Sequence, residues 1–233
     1  MSLPYFFANT LSAEDQIILP EETSKHCIQV LRMQEAEQMI ITDGKGKLLT
    51  ATILNADRKH CVVKVNAIHQ EEQNKRRITI AMSLLKNTSR FEWFLEKATE
   101  IGISEIMPLI CKRTEKQYFR LDRMRQIVVS AMLQSRQSWL PLLHEPILFD
   151  KVAMENPCTT KLIAHCEEEQ KQQIAKINTT DKTIILIGPE GDFSPEEIQL
   201  AQQKNYIPVS LGTTRLRTET AGIVAATLLK NLD

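Results

Sequence analysis

Two loops late in the chain carry the residue types that a ligand-binding α/β enzyme places at its site. The first follows the apolar run Thr183–Ile187 and reads Gly188-Pro189-Glu190-Gly191-Asp192-Phe193-Ser194-Pro195-Glu196-Glu197. Its Gly-Pro-Glu-Gly half lets backbone approach a ligand closely at the carboxyl end of a strand, where open α/β sheets bind their ligands. The same residues also suit an ordinary tight turn between strand and helix. The second loop follows Ile207–Leu211 and reads Gly212-Thr213-Thr214-Arg215-Leu216-Arg217-Thr218-Glu219-Thr220-Ala221-Gly222. It too sets a glycine between a strand and a helix. Four of the 7 glycines lie in these two stretches, so their placement carries information. Neither G-x-G-x-x-G nor G-x-x-x-x-G-K-[ST] occurs, which disfavours a dinucleotide or phosphate loop.

The elements that must position these loops follow from periodicity. Ser194 predicts a helix N-cap, with Pro195 at the first position, Glu197 closing a capping box, and Phe193 and Ile198 as a hydrophobic staple. From residue 73 onward strands and helices alternate. Strands are predicted at Ile78–Leu84, Glu105–Ile110, Lys161–His165, Thr183–Ile187 and Ile207–Leu211. Helices are predicted at Ser89–Ile101, Leu121–Gln137, Glu168–Ile177, Pro195–Lys204 and Glu219–Leu232. Strands apolar on both faces imply a parallel sheet covered by helices. Ala221, Gly222, Ala225 and Ala226 permit close helix approach, either to a second subunit or to the chain's own sheet.

Residues 1–72 read differently. Short strands are predicted at Tyr5–Ala8, Gln16–Leu19, Gln38–Thr42, Lys47–Leu54 and Cys61–Ile68, interrupted by one helix at Glu21–Leu31. Asp43-Gly44-Lys45-Gly46 is a hairpin signal. The polar run Gln70–Lys75 separates a small β-barrel-like domain, 1–72, from an α/β domain, 73–233.

The chain has 233 residues, is 42% hydrophobic and carries 29 basic and 29 acidic side chains. That composition fits a folded chain, and no apolar run reaches the roughly 18–20 residues a bilayer span needs. The first ten residues lack the pattern of a secretory signal. The 5 cysteines are scattered without a C-x-x-C pair, which indicates neither a structural zinc nor a disulfide framework and suits a reduced cytoplasmic compartment. Zero net charge argues against a general nucleic-acid binder, but residues 73–140 hold 13 basic and 6 acidic side chains. A segment at +7 suits a polyanion, or simply the solvated faces of two helices.

The two loops together resemble the SPOUT methyltransferases, and within them the RsmE-type 16S ribosomal RNA uridine N3-methyltransferases. The pattern G-P-E-G-G-[FL]-S-x-x-E matches Gly188–Glu197 except at Asp192, and L-G-x-x-I-L-R-x-E-T-A aligns with Leu211–Ala221. Upstream, Lys86-Asn87-Thr88-Ser89-Arg90, Glu92, Lys97–Gly102 and Pro108 are similar to the family's first βαβ segment. His26-Cys27-Ile28-Gln29-Val30-Leu31-Arg32 looks like H-x-x-x-V-L-R. The resemblance spans nearly the whole chain. It implies a PUA-like β-barrel that binds RNA, followed by an α/β domain with a carboxyl-terminal trefoil knot. It implies a homodimer, S-adenosylmethionine as cofactor with S-adenosylhomocysteine as product, no metal, no membrane, and 16S rRNA of the small ribosomal subunit as partner. The residues aligned with the cofactor loops are Gly188, Pro189, Glu190, Gly191, Leu211, Gly212, Leu216, Thr220 and Ala221.

By the same resemblance Arg217 faces the nucleobase or the nearby carboxylate as the catalytic residue. Its guanidinium could stabilise a developing uracil anion, or instead contact phosphate or pair with Glu219. Glu190 orients the cofactor or caps the helix it precedes. His165 is a candidate only by position at a strand end. His26, Arg32, Lys86, Arg90, Arg113, Arg123 and Arg125 are the candidate RNA contacts. The chain departs from the pattern at Asp192, at Thr214-Arg215 in place of Arg-Ile, and at Leu133-Gln134-Ser135-Arg136-Gln137 in place of E-Q-S-x-R. These departures leave open a non-catalytic RNA-binding or ribosome-assembly module, or a SPOUT enzyme for another RNA or atom.

Overall fold

The computed structural model describes residues 3–11, 14–167 and 170–232. They divide into two compact units, 1–73 with 132–140, and 74–131 with 141–233. The segment Met132–Leu140 thus belongs to the first unit, although the sequence reading placed it in the second.

The first unit contains β1 (Tyr5–Phe7), β2 (Gln16–Ile18), α1 (Glu21–Lys25), β3 (Gln38–Thr42), β4 (Lys47–Asn55) and β5 (Val62–Gln70). The sheet order is β1-β3-β4-β5-β2, parallel only at β1–β3. Among the described residues β1 and β2 are hydrogen-bonded on one side only, so the β-barrel-like domain is an open, half-barrel sheet. Alternation buries one face: Met39, Ile41, Leu49, Ala51, Ile53 and Val63 are at most 1% exposed. The predicted helix Glu21–Leu31 is α-helical only to Lys25. A wide π turn follows over His26–Val30, closed by the Leu31 N–H donating to His26 O at 3.0 Å. The hairpin after β3 uses Gly44 and Gly46 at φ 69° and 89°. A Cβ at Gly46 would lie 2.6 Å from Trp139 Cζ2 and from Glu71 O, so this turn requires glycine.

The second unit runs β6 (Arg77–Ser83), α2 (Thr88–Ile101), β7 (Glu105–Ile110), α3 (Leu121–Gln134, its last residues counted with the first unit), β8 (Leu142–Leu143), β9 (Ile147–Leu148) and α4 (Phe149–Glu155). It continues with β10 (Thr160–Ala164), β11 (Gln172–Gln173), β12 (Lys182–Ile187), α5 (Pro195–Gln203), β13 (Ile207–Ser210) and α6 (Thr218–Lys230). The sheet is parallel throughout, ordered β11-β13-β10-β12-β6-β7-β8, with β9 also on β7. Ile184, Ile185 and Leu186 of β12 are fully buried on both faces, as a doubly covered central strand demands.

One predicted helix is absent. Of Glu168–Ile177, Glu168 and Glu169 lie outside the described residues. The rest forms edge strand β11, paired to Val209 and Ser210 of β13, and a 3₁₀ turn over Ile174–Lys176. Ile174 and Ile177 supply too few apolar positions for a helix face, and burying Ile174 through the turn replaces it. Of the small residues of α6, Gly222, Ala225 and Ala226 face inward, and Ala221 is partly exposed. Ala225 and Ala226 are fully buried, and a Cβ on Gly222 would fall 2.7 Å from Phe94 Cε2 of α2 and 2.9 Å from Met82 Sδ of β6. The stripe is thus spent on the chain's own α2 and sheet.

Candidate active site

The strand order switches around β10. From β10 the chain passes through edge strand β11 to β12 on one side of β10, then returns through α5 to β13 on the other. The carboxyl ends of three adjacent strands therefore converge, at the switch point where open α/β sheets bind ligands. A cavity of about 670 Å³ opens there, within the range typical of small-ligand sites. Its walls are Ala164–Cys166 after β10, Ile187–Glu190 and Asp192 after β12, and Val209–Thr218 after β13, with Arg90, Lys171 and Ala221 at the edges.

The loop after β12 is held by partners on every side. Its capping box forms as the sequence dictates: the Ser194 N–H donates to Glu197 Oε2 at 2.8 Å and the Glu197 N–H donates to Ser194 Oγ at 3.3 Å. The other Glu197 oxygen accepts the Lys112 N–H at 2.8 Å, so this buried carboxylate ties the α5 start to the segment after β7. The Arg113 guanidinium donates to Gly191 O at 2.7 Å and Phe193 O at 3.2 Å. Glu190 accepts the Lys86 N–H at 3.1 Å, so it braces the loop and leaves capping to Ser194. Fixed this way, the loop presents preformed backbone to the cavity at little ordering cost. At Gly188 a Cβ would come within 3.1 Å of Phe193 N, so the fold of the loop leaves little room for a side chain.

Asp192 occupies the position where the family pattern has glycine, and its backbone adopts the left-handed conformation at φ 64°. Asp is among the non-glycine residues that tolerate this region. Its Oδ1 accepts the Phe193 N–H at 2.8 Å, and its Oδ2 accepts the Cys166 N–H at 2.7 Å. Burial and the Asp192 carboxylate push the Cys166 thiol pKa up, which disfavours a thiolate nucleophile.

Seven of the nine candidate cofactor residues line the cavity: Gly188, Pro189, Glu190, Leu211, Gly212, Leu216 and Ala221. Gly191 and Thr220 lie off the wall, Gly191 against the Arg113 side chain. Arg217 lines the cavity and is exposed; Arg215 joins it, so the shifted arginine of the second loop still reaches the site. Glu219 pairs with Arg90 (3.6 Å) rather than Arg217, and its Oε2 is buried without a hydrogen-bond partner. His165 is buried on the wall, and Cys166 was missed although both follow the strand-end rule that found the other two loops.

Of the candidate RNA contacts only Arg90 lines the cavity. Arg113 braces the loop, and Arg123 forks onto Glu92 at 2.5 and 2.9 Å. Lys86 pairs with Glu115 at 2.7 Å, and Arg125 is exposed on α3. In the first unit, His26 opens the π turn with its ring edge-on to Phe6, and Arg32 is exposed at φ 56°. The cavity wall carries Arg90, Lys171, Arg215 and Arg217 against Glu190 and Asp192, a balance that favours an anionic partner.

A glycine-loop cavity at a switch point, rimmed by arginines, defines a site for a compact ligand beside an anionic partner. A family model described as an RNA methyltransferase domain matches residues 71–230, and one described as an RNA methyltransferase PUA domain matches residues 19–66. The chain belongs to the family of ribosomal RNA small subunit methyltransferase E. The relative of that name from Mesomycoplasma hyopneumoniae is 31% identical over 228 residues, covering 95% of this chain and 96% of its own. A probable rRNA-methyltransferase from Porphyromonas gingivalis superposes with a TM-score of 0.91 at 37% identity, covering 99% of this chain and 98% of its own. Ribosomal RNA small subunit methyltransferase E from Neisseria gonorrhoeae, bound to S-adenosyl methionine, superposes at 0.90 with 27% identity, covering 99% and 98%.

Proposed function

We propose that this protein transfers the methyl group of S-adenosylmethionine to N3 of a uridine in 16S rRNA of the small ribosomal subunit, releasing S-adenosylhomocysteine. The observation that carries the reading is the cavity at the ends of β13, β10 and β12, walled by the two loops that bear the family patterns. S-adenosylmethionine fits it: Ile187, Val209, Leu211 and Leu216 offer apolar surface, and the backbone of Gly188–Glu190 and Leu211–Gly212 offers donors and acceptors. When bound, the cofactor supplies an activated methyl group, and the protein supplies position and electrostatics.

Reaction at N3 needs the imide proton lost first, to water, which puts a transient negative charge on the uracil that methyl transfer then neutralises. Arg217, exposed at the cavity, is the residue we assign to that charge, since a guanidinium stays cationic throughout. Arg90, held by Glu219, stands at the same rim and supports RNA docking. His26 and Arg32 serve the RNA from the PUA-like unit, and Lys86 and Arg125 add phosphate contacts. Family likeness is what supports a trefoil knot completed by α6. We assign a homodimer by family likeness and place the enzyme in the cytoplasm with its ribosomal substrate.

The test is transfer of labelled methyl from S-adenosylmethionine to small subunits lacking the modification and to naked 16S rRNA, followed by nucleoside analysis. The reading predicts label in N3-methyluridine. Label in another nucleoside would refute the assigned atom. A protein that binds rRNA but neither binds the cofactor nor transfers label would refute the enzyme itself and favour the RNA-binding module.

A further inference from the structure

We propose that Asp192 is a positioning residue of the cofactor cavity: its carboxylate latches the loop after β12 to the end of β10. The inference rests on the functional reading above. Three observations converge on it. The left-handed backbone at 192, φ 64°, is one that glycine adopts freely, so the side chain here is a burden unless it does something. The two carboxylate oxygens are both engaged, Oδ1 by the Phe193 N–H at 2.8 Å and Oδ2 by the Cys166 N–H at 2.7 Å. Cys166 and Asp192 both line the cavity, so the bond between them closes one wall.

The parallel β10–β12 ladder ends at Ala164 paired with Ile187, and the latch ties the two walls beyond that end. The residues past that pair form the site. A carboxylate accepting N–H groups from two segments fixes their spacing before the ligand arrives, which spares the ligand that ordering cost. In a chain with glycine at this position the backbone would adopt the same conformation with no such tie. The departure from the family pattern is therefore a substitution that preserves torsion and adds a crosslink.

The test compares wild type with Asp192→Gly and Asp192→Asn. Both substitutions tolerate the left-handed backbone, so both variants should fold. Glycine removes the latch; asparagine keeps one oxygen, which accepts one N–H at a time, while its amide group opposes the other. Three quantities are read: the Kd for S-adenosylmethionine by calorimetry, kcat with saturating cofactor, and the hydrogen-exchange rate of the Cys166 amide. The latch predicts a Kd raised about tenfold in Asp192→Gly, the loss of roughly one charge-assisted hydrogen bond's worth of preorganisation. It predicts kcat within about twofold, since saturating ligand restores the wall, and faster exchange at Cys166 in both variants. A merely structural role would lower the melting temperature and speed exchange at Cys166 but leave the Kd alone. Equal cofactor affinity in wild type and Asp192→Gly, or equal Cys166 protection in the two, would overturn the latch. Wild-type protein that gives no binding heat with S-adenosylmethionine would overturn the functional reading, whatever the exchange rates show.

Discussion

Replacing Arg113 by alanine separates two roles that one arginine could serve. Its guanidinium donates to Gly191 O at 2.7 Å and to Phe193 O at 3.2 Å, across 78 and 80 residues of sequence. Hydrogen bonds to charged groups contribute roughly 1.5–3 kcal/mol each when shielded. Arg113 is exposed, so water replaces much of that, and about 1–2 kcal/mol for the pair is the reasonable magnitude. The cost falls on the loop rather than on the core. Arg113→Ala should therefore leave the melting temperature within a few degrees and weaken S-adenosylmethionine binding about 5–30-fold. The assay is calorimetric titration of the cofactor, run beside rRNA binding at a series of salt concentrations. If Arg113 instead contacts phosphate, as the charge of residues 73–140 suggests, the cofactor Kd will not move. The salt slope of rRNA binding will then fall by about 0.7–0.9. That pair of results would refute the reasoning.

Arg217→Ala should lower kcat more than tenfold with cofactor affinity unchanged, because its charge acts on the nucleobase (kinetics at saturating cofactor, ΔΔG‡ above about 1.4 kcal/mol); unchanged turnover removes it from the chemistry. Gly222→Ala should lower the unfolding free energy by about 1–2 kcal/mol, read as a lower denaturant midpoint, overpacking against Phe94 and Met82 exceeding the gain in helix propensity; an unchanged midpoint with altered oligomeric state would return the small-residue stripe to a subunit interface. Glu105 supplies a pH test. Burial raises its pKa, but hydrogen bonds with His144 and Thr79 outweigh burial and hold it below the ordinary carboxylate value. A lowered folded-state pKa means stabilisation present above the unfolded pKa and lost as pH falls through the folded one. Melting temperature should thus fall on acidification, and Glu105→Gln should be less stable at pH 7 with a shallower acid limb.

What the sequence made legible was local. Ser194, Pro195 and Glu197 are adjacent in the chain, and the capping box they predict is the one observed. Thr183–Ile187 reads as doubly buried because every residue is apolar or small, and β12 occupies the interior of the sheet. The segment 138–157 was not legible. β8 and β9 are two residues each and exist by pairing with β7, while α4 spans seven residues between prolines and buries only Phe149, Val152 and Ala153. Such short elements leave no period to detect. The site followed the same division. Two walls announced themselves through glycines, but the third, Ala164–Cys166, is marked only by following a strand. The contacts that fix the site join residues far apart: Asp192 to Cys166 across 26 positions, Glu197 to Lys112 across 85. Charge composition assigned Arg113 and Arg123 to RNA, because it counts cations without showing which carbonyls and carboxylates have claimed them.

The most direct test of the central claim is a crystal structure of this protein grown with S-adenosylmethionine. The account predicts the cofactor in the cavity at the ends of β13, β10 and β12, touching backbone of both Gly188–Glu190 and Leu211–Gly212, with the methyl group toward Arg217. Cofactor bound elsewhere, or touching only one of the two loops, would contradict it.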